Sequence, residues 1–173
     1  MRLGAKELRK SEPTRSDLVK IKRREIYIIC DNILDTYNTG SIFRLADAVA
    51  AKKVYLCGKT VTPPYHRITK AAVGTDKWVP WQYASTAGEA VSSIKYLVTG
   101  IKIIAIEQSA KSVDYRRVDY SLPLAFIVGN ETEGVSKEAL KLADTIVEIP
   151  MFGVNKSLNV MVSLAIVLYK AVE

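Results

Sequence analysis

The last stretch of the chain, Glu148 to Glu173, reads EIPMFGVNKSLNVMVSLAIVLYKAVE. A short apolar strand ending at Ile149 runs into Pro150, which has no N–H with which to extend a ladder. A loop around Gly153 then delivers Ser157, Leu158 and Asn159 to the mouth of a strongly apolar helix. Ser157 or Asn159 caps that helix, a side-chain oxygen accepting an orphan backbone N–H. Alternatively, the loop that carries them builds a ligand pocket.

Upstream, from Ile26 onward, the texture is of continuous apolar runs (IYIIC, KVYLCG, IKIIAIE, LAFIV, TIVEI) separated by helical patterns such as SIFRLADAVAA and SKEALKLA. Runs without alternation suit strands covered on both faces, so the body is expected to be α/β with a mainly parallel sheet. The paired prolines of TVTPPYHR mark a loop holding His66, followed by a short helix from Ile68 to Val73. VPWQYA is expected to be a strand packing Trp78, Trp81 and Tyr83 inward, and the helix over 86–99 ends at Gly100. KSVDYRRVDYSLP reads as a polar connection in which Lys111, Arg116 and Arg117 are available to phosphates.

The 173 residues suit one compact domain, with 49% hydrophobic and 25% charged residues. The net charge of +7 is unevenly placed. Residues 1–24 hold nine Lys/Arg against Glu7, Glu12 and Asp17, whereas the rest holds 16 basic and 15 acidic residues. A nearly neutral globule (26–173) therefore carries a basic, partly helical arm (1–25), which either contacts the phosphates of a nucleic acid or is a solvated tail. Cys30 and Cys57 sit in apolar runs as buried hydrophobes, and with the single histidine, His66, they match no zinc spacing. No stretch reaches about 18 apolar residues, so a soluble, cytoplasmic protein without a membrane span is expected.

Two further stretches carry chemistry. In DNILDTYNTGSIFR, residues 31–44, Asn38, Gly40 and Arg44 are spaced N-x-G-x-x-x-R after a strand, and Ser41 can cap the helix that holds Arg44. Arg44 either projects toward the strand's carboxyl end, where α/β proteins bind ligands, or pairs with Asp47 on the helix surface. In GNETEG, Gly129 to Gly134, glycines allow a ligand to approach the backbone, yet Glu131 stands where the G-x-G-x-x-G fingerprint has its second glycine. Unless Glu131 is simply a turn residue, its carboxylate repels pyrophosphate and welcomes a cationic ligand without phosphates.

Taken in order, NTGSIFR, IVGNETEG and EIPMFGVNKSLNVMVSLAI resemble the three motifs of the SpoU family of RNA 2′-O-ribose methyltransferases, within the SPOUT superfamily. The resemblance implies a six-stranded, mostly parallel sheet with a deep C-terminal trefoil knot, S-adenosylmethionine (AdoMet) held in the knot, an RNA substrate (tRNA or rRNA) and a homodimer. It places Gly129, Ile149 and Leu158, with Glu107 as a fourth, at the cofactor. Asn38, Arg44, Glu131, Ser157 and Asn159 then form the polar set around the reacting centre, with no metal. One departure is Val49-Ala50-Ala51, where the family's first helix runs on to Phe-Gly. A module that kept the fold and bound RNA without catalysis is the alternative.

Overall fold

The structure is a computed structural model describing residues 2–173. Its strands are β1 (Arg24–Asp31), β2 (Ala51–Cys57), β3 (Trp81–Ala84), β4 (Lys102–Ile106), β5 (Val113–Asp114), β6 (Leu124–Gly129) and β7 (Thr145–Glu148). They form one sheet in the order β3-β2-β1-β6-β4-β7-β5, and every pairing is parallel. The sheet thus has seven strands rather than the expected six. The extra one, β5, lies inside the polar connection and pairs only Val113 with Val147 and Asp114 with Glu148. Two residues are too few to leave a periodic signal in sequence.

The helices are α1 (Ala5–Lys10), α2 (Arg15–Lys20), α3 (Thr36–Ala48), α4 (His66–Ala72), α5 (Ala87–Leu97), α6 (Lys137–Leu142) and α7 (Val160–Val172). Alternate residues of β1 feed two separate apolar layers. Ile26, Ile28 and Cys30 pack with Phe43 of α3, Ile68 of α4 and Leu164 of α7. Tyr27 and Ile29 pack with Val91 and Ile94 of α5 and Ala139 of α6 on the other face. A strand buried on both sides has no polar face, which is why its sequence does not alternate.

Helix α3 starts earlier than Ser41. Asp35 caps it, its Oδ1 accepting the Tyr37 N–H at 2.8 Å, so Ser41 lies in the second turn and Arg44 in the third. Gly40 is needed for close packing: a Cβ there would stand 2.5 Å from the Ile68 carbonyl oxygen and 2.6 Å from the Ala71 Cβ, both on α4. His66 is not in the loop but opens α4, exposed and with its ring 5.1 Å from that of Tyr65. Trp78 is buried and Trp81 packs against the core, whereas Tyr83 is 51% exposed, its hydroxyl donating to the Gly58 carbonyl at 3.2 Å.

The Val49-Ala50-Ala51 departure has a backbone consequence. Ala50 follows α3 with φ +51°, a left-handed conformation that Gly adopts without a Cβ penalty. Substituting A50G is expected to stabilise the chain by about 0.5–1 kcal/mol, the relief of the left-handed strain net of glycine's greater chain entropy. Urea unfolding should show the midpoint rising with an unchanged slope.

The basic arm lies against the body. The Trp78 Nε1–H donates to Ser11 Oγ at 3.2 Å, Lys77 pairs with Glu12, and Arg23 donates to the carbonyls of Ala51 (3.0 Å) and Trp78 (2.5 Å). Arg2, Lys6, Arg9, Lys10 and Arg15 make no ion pair among the described residues. Among those residues no helix is long and apolar enough to cross a membrane.

Candidate functional site

Because the strands are parallel, the carboxyl ends of β1, β6, β4 and β7 lie side by side at one edge of the sheet, and the loops leaving them meet there. Between the loops leaving β6, β4 and β7 is a cavity of about 470 Å³. Seven residues expected at the site line it: Glu107, Gly129, Glu131, Ile149, Ser157, Leu158 and Asn159. Asn38 sits one hydrogen bond behind the wall. Arg44 does not line the cavity; it is exposed and makes neither a hydrogen bond nor an ion pair among the described residues, so the alternative pairing with Asp47 is not formed.

A hydrogen-bond relay joins the three motifs. Glu131 Oε1 accepts from Asn38 Nδ2 at 2.9 Å and from the Asp35 N–H at 3.1 Å, while Oε2 accepts the Leu34 N–H at 3.1 Å. The Glu131 carboxylate can only accept, which sets the Asn38 amide with Nδ2 toward Glu131 and Oδ1 toward Asn159. Asn159 Nδ2 donates to that oxygen at 3.0 Å, and its own Oδ1 caps α7, accepting from Met161 N–H at 2.9 Å and Val162 N–H at 3.4 Å. Asn159 is therefore both the helix cap and part of the site. Ser157 is not a cap; its N–H reaches Asn155 Oδ1 at 3.3 Å, and its hydroxyl has no partner among the described residues. Partial burial pushes the Glu131 carboxyl up, but the bonds from Asn38, Leu34, Asp35 and its own N–H outweigh this and hold it below the usual glutamate value.

The 129–134 loop closes on itself, Asn130 and Gly134 exchanging N–H···O bonds of 3.0 and 2.9 Å. A Cβ at Gly129 would stand 2.1 Å from the Val135 nitrogen, so only glycine lets the loop fold back over β6. Glu107 holds the far end, Oε2 accepting the Val135 N–H at 2.7 Å and Oε1 the Gln108 N–H at 2.9 Å. One further polar residue belongs to this edge of the sheet. Asp31, 2% exposed at the end of β1, accepts the Ser136 N–H at 2.9 Å and so ties β1 to the start of α6. An acid closing an otherwise apolar strand run was the available signal.

The charged residues lining the cavity are Glu107, Glu131, Glu133 and Glu148, with no Lys or Arg among them. Such a lining favours a cationic ligand and repels phosphates. Cys30 and Cys57 are free and take no part: burial pushes both thiols up, that of Cys57 to about 12. Of the basic residues in the polar connection, Arg116 is paired with Asp114, while Lys111 and Arg117 are exposed.

Comparison with known proteins bears on the family and the fold. Residues 25–169 match the model of the SpoU rRNA Methylase family. The chain is 34% identical over 157 residues to the tRNA (guanosine(18)-2′-O)-methyltransferase of Escherichia coli K12, covering 90% of this chain and 66% of that protein. The crystal structure of the A. aeolicus TrmH/SpoU tRNA modifying enzyme superposes with a TM-score of 0.78 at 30% identity, covering 96% of this chain and 80% of that one. The SpoU methyltransferase AviRb from Streptomyces viridochromogenes, in complex with AdoMet, also gives 0.78, at 28% identity over 90% of this chain and 63% of that one. With a family model matching across its whole sheet, the chain belongs to the SpoU rRNA methylase family.

Proposed function

We propose that this chain is an AdoMet-dependent RNA 2′-O-methyltransferase that acts on a ribose hydroxyl of tRNA or ribosomal RNA. The observation that carries the proposal is the cavity where the 130–134 and 149–159 loops meet, backed by the Glu131–Asn38–Asn159 relay. A module that only bound RNA would have no use for a cavity whose acidic lining repels phosphates. tRNA stands first because the E. coli relative carries it in its name.

The residues present fit the cofactor. AdoMet is cationic at sulfur and at its amino group and has no phosphate, which suits four carboxylates and no basic side chain. The cavity also falls within the roughly 300–1,000 Å³ of small-molecule sites. Backbone groups at Gly129, Ile149 and Leu158 would hold it, and when bound it supplies a methyl group made electrophilic by the sulfonium. Glu107 acts here by keeping the 134–135 turn against the cavity.

The chain's own groups orient a ribose hydroxyl and help it lose a proton. A guanidinium is a poor base, so Arg44 positions a phosphate of the RNA beside the hydroxyl; that phosphate takes the proton, and Arg44 stabilises the developing alkoxide. Asn38 and Asn159 are fixed by the relay, and the free Ser157 hydroxyl completes the hydrogen-bond set. Arg44 is six residues from Asn38 and points about 120° away around α3, so it serves a site completed by a second copy. Phe152 (91% exposed), Val154, Val162 and Tyr169 are exposed apolar side chains on the last loop and α7, and this homodimer would cover them. In the same proposal the C-terminal segment is threaded as a trefoil knot, the basic arm contacts RNA, and the protein is cytoplasmic.

Incubation with labelled AdoMet and separate tRNA and ribosomal RNA pools, followed by mapping, should place the label on a ribose 2′-oxygen. Label on base atoms, or on neither RNA, would exclude the assignment.

A further inference from the structure

The two residues after β4 send their side chains to opposite walls of the cavity. Glu107 takes the Val135 N–H of the loop after β6, as described. Gln108 turns to the C-terminal loop, its Nε2 donating to the Lys156 carbonyl at 2.6 Å. Residues 152–159 are all exposed. Between Pro150 and Leu158 the other hydrogen bond among the described residues is internal, from the Ser157 N–H to Asn155 Oδ1. The Gln108 bond therefore joins the middle of this loop to the sheet. It also lies between the main cavity and a shallower hollow of about 310 Å³ beside the loop, and Gln108 lines both.

We infer that Gln108 is a positioning residue for the cofactor: by tethering the Lys156 carbonyl, it holds the loop with Ser157 and Leu158 at the cavity wall before the ligand arrives. The inference rests on the AdoMet assignment above. A loop without the tether must be ordered at the moment of binding, and that ordering is subtracted from affinity. The amide does not titrate and its donor is committed to backbone; once AdoMet is bound, its own contacts at Leu158 order the loop and Ser157 with it, so losing the tether weakens binding and leaves the chemical step at saturation alone.

Q108E keeps the shape but replaces the donor with a carboxylate facing a carbonyl oxygen. Q108A removes the donor without adding charge and guards against misfolding of the first variant. Calorimetric titration with AdoMet should show Kd rising about threefold for Q108A, the loss expected for one exposed hydrogen bond, and about as much for Q108E, whose new carboxylate repels the Lys156 carbonyl but adds to the acidic lining that favours the cation. With AdoMet saturating, kcat should stay within about twofold, and amide hydrogen exchange over residues 152–158 should accelerate in both variants. If the unaltered chain binds AdoMet and both variants match it in Kd and loop exchange, the tether has no role. A fall in kcat with Kd intact also overturns the inference, because Gln108 would then act on the reaction. An unaltered chain that binds no AdoMet overturns the cofactor assignment along with it.

Discussion

Replacing Arg44 with alanine is expected to lower methyl transfer by about 10²–10³-fold, the usual loss when one preorganised group is removed from a developing oxyanion. AdoMet affinity should stay within about twofold, because Arg44 is outside the cavity wall. Stability should also hold. The guanidinium is exposed and makes no ion pair or hydrogen bond among the described residues, so alanine leaves no orphaned partner. Single-turnover rates with RNA and AdoMet saturating, beside calorimetric Kd values, separate these effects. R44K tests the fork: it retains the charge but not the two-pronged donor geometry, and is expected to recover only part of the rate. Near-normal turnover in R44A would remove Arg44 from the mechanism.

The second large effect is expected from N38D. Asn38 must donate to Glu131 and accept from Asn159 at once, and of the side chains of its shape only an amide does both. An aspartate keeps the bond from Asn159 but places a second carboxylate against Glu131, in a position that is 6% exposed in the native chain. At neutral pH we expect a loss of roughly 2–3 kcal/mol, from the missing donor and the like charges together. The pH dependence makes the cause identifiable. In the native chain the Glu131 carboxyl is held below its ordinary value, so between the folded and unfolded pKa the unfolded chain binds more protons. That contribution is complete above the unfolded value and is lost as pH falls through the folded one. In N38D the carboxylate pair binds a proton more tightly when folded than when unfolded, which reverses the sign. The deficit should therefore be largest near pH 8 and shrink toward pH 5. Urea unfolding at both values measures it, with N38A as a control whose deficit does not narrow in that way. A constant N38D deficit would mean that the two carboxylates do not meet.

Much of this architecture was legible from residues alone, for a definite reason. Strands such as Ile26–Cys30 are buried on both faces by two apolar layers, and that condition writes a continuous run into the sequence. Signals weakened where an element was short or its cap lay elsewhere. β5 has two residues, and α3 begins at Thr36 because Asp35, not Ser41, caps it by taking the free Tyr37 N–H. Tyr83 faces outward because β3 is the edge strand, paired on one side only, and nothing local distinguishes an edge from an interior strand. The docking of the basic arm through Ser11, Glu12 and Arg23 likewise depends on partners more than fifty residues away.

Local chemistry determined which residues could serve: an amide able to cap a helix at Asn159, a carboxylate in a glycine loop at Glu131, and glycine where backbone folds back at Gly129. Only the tertiary structure decided that Asn159, Asn38 and Glu131 form one directional relay, and that Arg44 stands apart from the cavity they border. Hydrogen bonding is short-ranged and directional, so which donor meets which acceptor across more than ninety residues is set by how parallel strands bring their carboxyl ends to one edge.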